Sequence, residues 1–445
     1  MRKSIFSLAH EDDSELYGAD TSGEITPEDM IESQADHDEF LETAASAQTD
    51  IAAIEESDDI VEDASDVAED IDDKLEQPEK VTGDDVMVAQ ESMRIICHRY
   101  GVQPEAVLGR RLSHESASVN PVHSLRLARE GVGEFIKDVI EGIRKLFRRL
   151  IENIKKLYAK VVSFFTGTEK VASKMLVKVN SSGEAPSDAK FTEEETSKIS
   201  NLFGALILSN GGKLGKDPVA LLGNYMNTLQ DIKQITGYTN VLKNGSVDQL
   251  TILNADPDKV EELAKKATKN MYDKLGNTPS PVIKQIGHNS NAANKAIVPA
   301  SAEVIPFAVS GTKTRAFVVD GEDRIKSVTL LSVMSSIKHI TVEVPTKASI
   351  VKLLGMVINA SKKSKDFEAA VTKEVNDADK ILAEMIKEVA NKDLTPAAKH
   401  SVTNYLSAVR TVVSNVAVDT VLAQVNGIKA VMTYCAIASK KLIKS

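Results

Sequence analysis

The sequence predicts an α+β fold, predominantly α-helical, with a small antiparallel β-sheet and a disordered acidic N-terminal segment. Three observations lead there. Acidic residues crowd the first 130 positions, apolar residues recur at spacings of three and four through most of the remaining chain, and residues 300–345 hold short runs of Val, Ile and Thr. With 445 residues and 42% hydrophobic content, the chain can bury a sizeable core in one to three domains.

The acidic segment comes first. The net charge of −11 averages two unlike parts: residues 1–130 carry 33 acidic and 10 basic side chains, net −23, and residues 131–445 carry 32 and 44, net +12. Residues 11–90 hold 29 acids against Lys74 and Lys80, with Tyr17 and Phe40 as their aromatics. Such a segment repels itself and offers little apolar area against the entropy of ordering. It is expected to lack fixed structure beyond short helical turns around 38–47 or 50–75. Residues 84–130 are a transition, with a short helix at Asp85–Tyr100 and a linker over 116–122.

The clearest element is a basic amphipathic helix at Glu134–Phe165. Its apolar stripe includes Ile143, Phe147, Leu150, Ile154 and Val161, and its opposite face carries Arg144, Lys145, Arg148, Arg149, Lys155, Lys156 and Lys160. Gly131 and Gly133 precede it, and Gly167 marks the expected stop. Helices follow at Phe191–Leu208, Asp217–Ile235 and Asp256–Leu275. Four runs, Glu303–Val309, Arg315–Val319, Arg324–Leu331 and His339–Val344, read as the antiparallel sheet, with Asp320-Gly321 as a hairpin turn. From Pro345 onward the pattern is helical: Lys347–Ser361, Asp366–Ala390, Pro396–Val413 and Val418–Leu442, packed as antiparallel neighbours.

Several function classes find no support. Cys97 and Cys435 form neither a CxxC pair nor a disulfide framework, which points to a reducing compartment. The apolar stretch after Met1 is too short for a signal peptide, and no run of eighteen apolar residues predicts a membrane span. The absence of Trp argues against a stacking platform for single-stranded nucleic acid. Asn210–Asp217 contains Gly-Gly-Lys but lacks the Gly and Ser/Thr that a phosphate-binding loop needs at its ends. His288, His339 and His400 stand alone, so neither a catalytic triad, a metal site nor a cofactor is expected, and the chain does not read as an enzyme.

The most specific pattern is a repeated tetrapeptide. Leu8-Ala9-His10-Glu11, Leu112-Ser113-His114-Glu115 and Leu127-Ala128-Arg129-Glu130 all fit Leu, small, His/Arg, Glu. Chance at average residue usage supplies on the order of a few hundredths of such matches in a chain this long. Their irregular separation excludes a metal or catalytic constellation. A short exposed motif of this kind suits a processing protease, which binds extended chain and reads alternate side chains. Cuts are expected after Glu11, Glu115 and Glu130.

These tetrapeptides, the acidic leader and the basic helix after the last of them resemble the internal head (inner body) proteins of T4-type and giant phiKZ-like tailed phages. The resemblance covers about the first 165 residues. It implies a precursor cut after Glu by a prohead protease, with the mature body inside the virion beside packaged double-stranded DNA and other internal head or capsid proteins, after assembly in the host cytoplasm. On that reading the chain divides into an acidic propeptide (1–130), the basic amphipathic helix (131–180), a mixed helical region with the sheet (181–345) and a C-terminal helical bundle (346–445). Arg144, Lys145, Arg148, Arg149, Lys155 and Lys156 are the expected non-specific DNA-phosphate contacts, and no stable membrane insertion is expected. Two alternatives stand: a membrane-active effector held inert by an acidic pro-segment, and a scaffolding protein without DNA contact.

Overall fold

The computed structural model describes residues 27–103, 120–229, 254–278, 280–293, 302–319, 325–332, 340–363 and 394–443, with a few isolated positions besides. The predominantly helical α+β class and the small antiparallel sheet are borne out. The helices are α1 (Pro27–Leu75), α2 (Gly83–Arg99), α3 (Pro121–Asn180), α4 (Glu193–Ser209), α5 (Val219–Leu229), α6 (Val260–Asn277), α7 (Pro281–Ala293), α8 (347–363) and α9 (Pro396–Ser439). The strands are β1 (Lys213–Leu214), β2 (Val304–Ser310), β3 (Lys313–Val319), β4 (Ile325–Leu331) and β5 (Thr341–Val342).

The acidic leader is corrected first. Expected to lack fixed structure, it forms the 49-residue helix α1 from Pro27 on, and residues 1–26 lie outside the described residues. The physical reason lies in spacing rather than composition. Phe40, Ala44, Ala47, Ile51, Ile54 and Val61 recur at steps of four and three, all buried, with Asp58 in the same row. Each large side chain in that row contributes about 1.5–3 kcal/mol on burial, while the carboxylates on the other face stay hydrated. Alanines at 44 and 47 supply no great area but let a neighbouring helix approach closely. The C-terminal part of α1 packs with α2 and the start of α3 in a second cluster that includes Ile71, Val86, Met93, Leu125 and Phe135. A capping box opens α2: the Thr82 hydroxyl accepts from the Asp85 amide, and the Asp85 carboxylate accepts from the Thr82 amide at 2.9 Å.

The basic helix is longer than expected at both ends. Asn120 caps it, with its side chain accepting from the His123 amide at 3.2 Å, and Pro121 fills the first turn where a missing N–H costs little. It passes through Gly131, Gly133 and Gly167 without a break. An interior glycine costs about 0.5–1 kcal/mol, which burial of Leu125, Val132 and Phe135 on one side and Ala172, Met175 and Val179 on the other outweighs. The expected boundary at residues 130 and 131 therefore falls inside one continuous helix.

β2, β3 and β4 form the antiparallel sheet in that order, with Gly311 at φ 56° in the first turn and Phe307 stacked on Phe317 at 4.3 Å. The turn around Asp320-Gly321 lies outside the described residues. The fourth expected strand is not part of this sheet. Its Thr341–Val342 pairs in parallel with β1, because Gly211 and Gly212 at φ 66° and 82° turn the chain leaving α4 alongside it. The two expected C-terminal helices are one, α9, which runs unbroken through Ser414 and Asn415. Most of 366–390 lies outside the described residues. α9 is the core helix: by length and composition it could cross a membrane, but 83% of its apolar window is buried within the protein. Gly427 lets it approach α5, since a Cβ there would stand 2.3 Å from Leu229 Cδ1.

Candidate nucleic-acid interface and processing sites

α1 lies antiparallel along α3, and ion pairs fix the register. Asp50 accepts from Arg149 Nε at 2.8 Å and from Asn153 Nδ2 at 2.7 Å; Lys160 pairs with Glu39; Arg129 Nε donates to Asp72 at 2.8 Å. The Asp50 side chain is 4% exposed while that of Arg149 is 58% exposed, so the carboxylate is the buried member. The hydrogen bond to Asp50, followed by its charge, raises the Arg149 pKa above its ordinary value.

The six expected phosphate contacts therefore fall into two sets. Arg149 is engaged by the leader, and Arg144 pairs with Glu141 one turn back on its own helix at 3.8 Å. Lys145, Arg148, Lys155 and Lys156 are exposed, and among the described residues none has an acidic partner. They lie within about 17 Å along the helix axis, on a side of α3 that α1 leaves open to solvent. Of the three expected cleavage positions, Glu11 and Glu115 lie outside the described residues. Glu130 is exposed but sits in the interior of α3, next to Arg129 with its bond to Asp72. A protease that reads extended chain meets a helix there.

Sequence reasoning missed a buried polar network where α1, β3, β4 and α9 meet. Arg315 on β3 donates to Asp419 at 2.7 Å, to Asn415 at 2.7 Å and to Thr329 at 2.7 Å. Glu55 on α1 accepts from Ser327 at 3.1 Å and from Asn415 at 3.2 Å. Asp58 pairs with Arg410 and accepts from Ser407 at 2.9 Å, and Gln48 donates to Asp419 at 3.0 Å. Burial pushes both Glu55 and Asp58 above the ordinary carboxylate range, against the lowering effect of Arg410 on Asp58 and of the hydrogen bonds to Glu55. The signal was present as Ser407, Arg410, Thr411, Ser414, Asn415 and Asp419, polar side chains set among the apolar residues of the middle of α9. At the expected loop 210–217, Asn210 Nδ2 donates to the Lys213 carbonyl at 2.7 Å and closes a turn. Among the described residues no group of three or more His, Cys, Asp or Glu is placed to hold a metal.

The family model of phiKZ-like phage internal head proteins matches residues 32–437, which takes in nearly all of α1 as well as α9. No curated protein and no solved structure matches the chain.

Proposed function

Because this chain belongs to the phiKZ-like phage internal head proteins, structural components within the phage capsid, we propose that it is a precursor whose basic body lies against packaged double-stranded DNA. The observation that carries this reading is the exposed row Lys145, Arg148, Lys155 and Lys156 on α3, left without acidic partners among the described residues. Four clustered cations on one helix face displace counterions from phosphates without reading bases. A local basic patch attracts a polyanion even in a chain of net negative charge, when salt is low. The role is structural rather than enzymatic. Its proposed partners are the DNA, the prohead protease, and the other head proteins that it meets during assembly in the host cytoplasm.

Of the expected cuts, Glu115 is the favoured one. It precedes α3 in the chain, so that cutting there leaves that helix whole, whereas cutting after Glu130 requires unwinding a helix whose neighbours Ala128 and Val132 are buried. Maturation then yields a body that begins at Ser116, detectable as a new N-terminus in particles.

Filter binding of duplex DNA by the full chain and by K145E/R148E/K155E/K156E tests the DNA contact at two salt concentrations. The parent should bind at low salt with a log–log salt slope of about −3.6, from four phosphates neutralised at ~0.9 each. The variant should lose at least about tenfold in affinity. No binding by the parent, or equal binding by the variant, removes the DNA contact from the reading.

A further inference from the structure

We infer that the face built by α3, α9 and the sheet is a binding site for an acidic amphipathic helix, filled here by α1, and that it holds residues 27–103 in trans once the chain is cut between α2 and α3. The natural place of that cut rests on the processing reading above; the docking surface does not.

Four observations converge. The first is covalent: α1 and α2 form one end of the chain and reach the body only through residues 104–119. The second is apolar. Phe40, Ala44, Ala47, Ile51, Ile54 and Val61 belong to the same continuous core as the α3 and α9 stripes, and α2 adds a second cluster against the first turns of α3. A cut after Glu115 leaves every one of those contacts in place, because α3 begins at Pro121. The third is charge: Asp50, Glu39 and Asp72 meet Arg149, Lys160 and Arg129 at three points along α3. The fourth is the buried network, in which Asp58 and Glu55 supply acceptors to Arg410 and Asn415 on α9. Removing the leader takes the Asp58 partner from Arg410 and bares the apolar face of α3.

Cutting and release are therefore separate events. The nicked protein is a two-chain complex, and the leader departs only when something replaces its apolar stripe as well as its charges. Salt alone weakens the exposed ion pairs but not the stripe.

The test uses the full chain with a foreign protease site built into residues 104–119, so that it does not depend on the natural protease. After cutting, size exclusion is run at physiological and at high salt, with hydrogen exchange on α1. The expected result is equimolar co-elution of both pieces at both salts, with no loss of amide protection across residues 40–61. A leader that elutes separately, an insoluble body, or loss of that protection overturns the inference. Ala47→Asp places a charge in the stripe: the uncut variant should stay intact and its cut form should shed the leader. Retention by the cut variant would show that the stripe is not what holds it. The N-terminus found in particles tests the processing reading separately: absence of an end at Ser116 removes that reading and leaves the docking result standing.

Discussion

Asp58 occupies a position on α1 where the spacing of four and three calls for an apolar side chain, and Arg410 meets it from α9 with both side chains nearly buried. A buried pair of this kind adds little net stability over apolar residues, but it is costly to break. Arg410→Leu should cost about 3–5 kcal/mol by stranding the carboxylate, and the double variant Asp58→Leu/Arg410→Leu should recover most of that loss. Denaturation midpoints of the singles and the double measure the coupling; purely additive losses would show there is none. Glu55 gives a pH signature. Its pKa in the folded protein is raised above the unfolded value, chiefly by burial, so the folded state binds that proton more tightly. Its contribution to stability is fully present below the unfolded pKa and is lost as pH rises through the raised folded one. Glu55→Gln keeps an acceptor for Asn415 and Ser327 and removes the charge. It should raise the thermal midpoint at neutral pH and flatten that part of the profile, and an unchanged slope between mildly acidic and neutral pH would assign the dependence to other groups.

At the scale of elements, two glycines in long helices are predicted to respond oppositely. Gly142 in α3 has open space where a Cβ would stand, so Gly142→Ala should stabilise by about 0.5–1 kcal/mol through the unfolded chain. Gly427 is the point where α9 meets α5, and Gly427→Ala should cost about 1–3 kcal/mol as Leu229 and Tyr225 are pushed aside. Calorimetric unfolding of both variants checks the signs. The same contrast explains what the sequence made legible. α2, α4, α6 and the three strands of the sheet were readable to within a few residues, because each carries its own period and its own terminal signals. α1 was not, because its stripe is partly alanine and its outer face is carboxylate, so composition hid a regular spacing. The ends of α3 and the continuity of α9 were missed because tertiary burial overrode glycine and Asn415, and α7 gave no local pattern that stood out. The six basic residues proposed for the candidate interface were chosen from their helix face alone. Arg149 was separated from the exposed four only by its partner Asp50, 99 residues away in the chain.

For the whole molecule, the leader is part of the fold rather than an appendage. Residues of α1 share one continuous core with α3, α9 and the sheet. Amide exchange in the uncut chain should therefore place residues 40–61 in the same slowly opening unit as the middle of α9. Early exchange of α1 alone, at near-unfolded rates, would return it to the status of a tail. That shared core has a consequence for how the protein comes into being. Asp58 must wait for Arg410, which is 352 residues further along the chain. At roughly 5–20 residues per second of synthesis, that is a delay of about 20–70 s. α3 leaves the ribosome well before then, so a two-helix hairpin of α1 and α3 can close early, while the flank meant for α9 stands unpartnered. Throughout that interval the hydrated carboxylates on the outer face of α1 keep nascent chains apart, so the negative charge that disguises this helix in the sequence also protects it during translation.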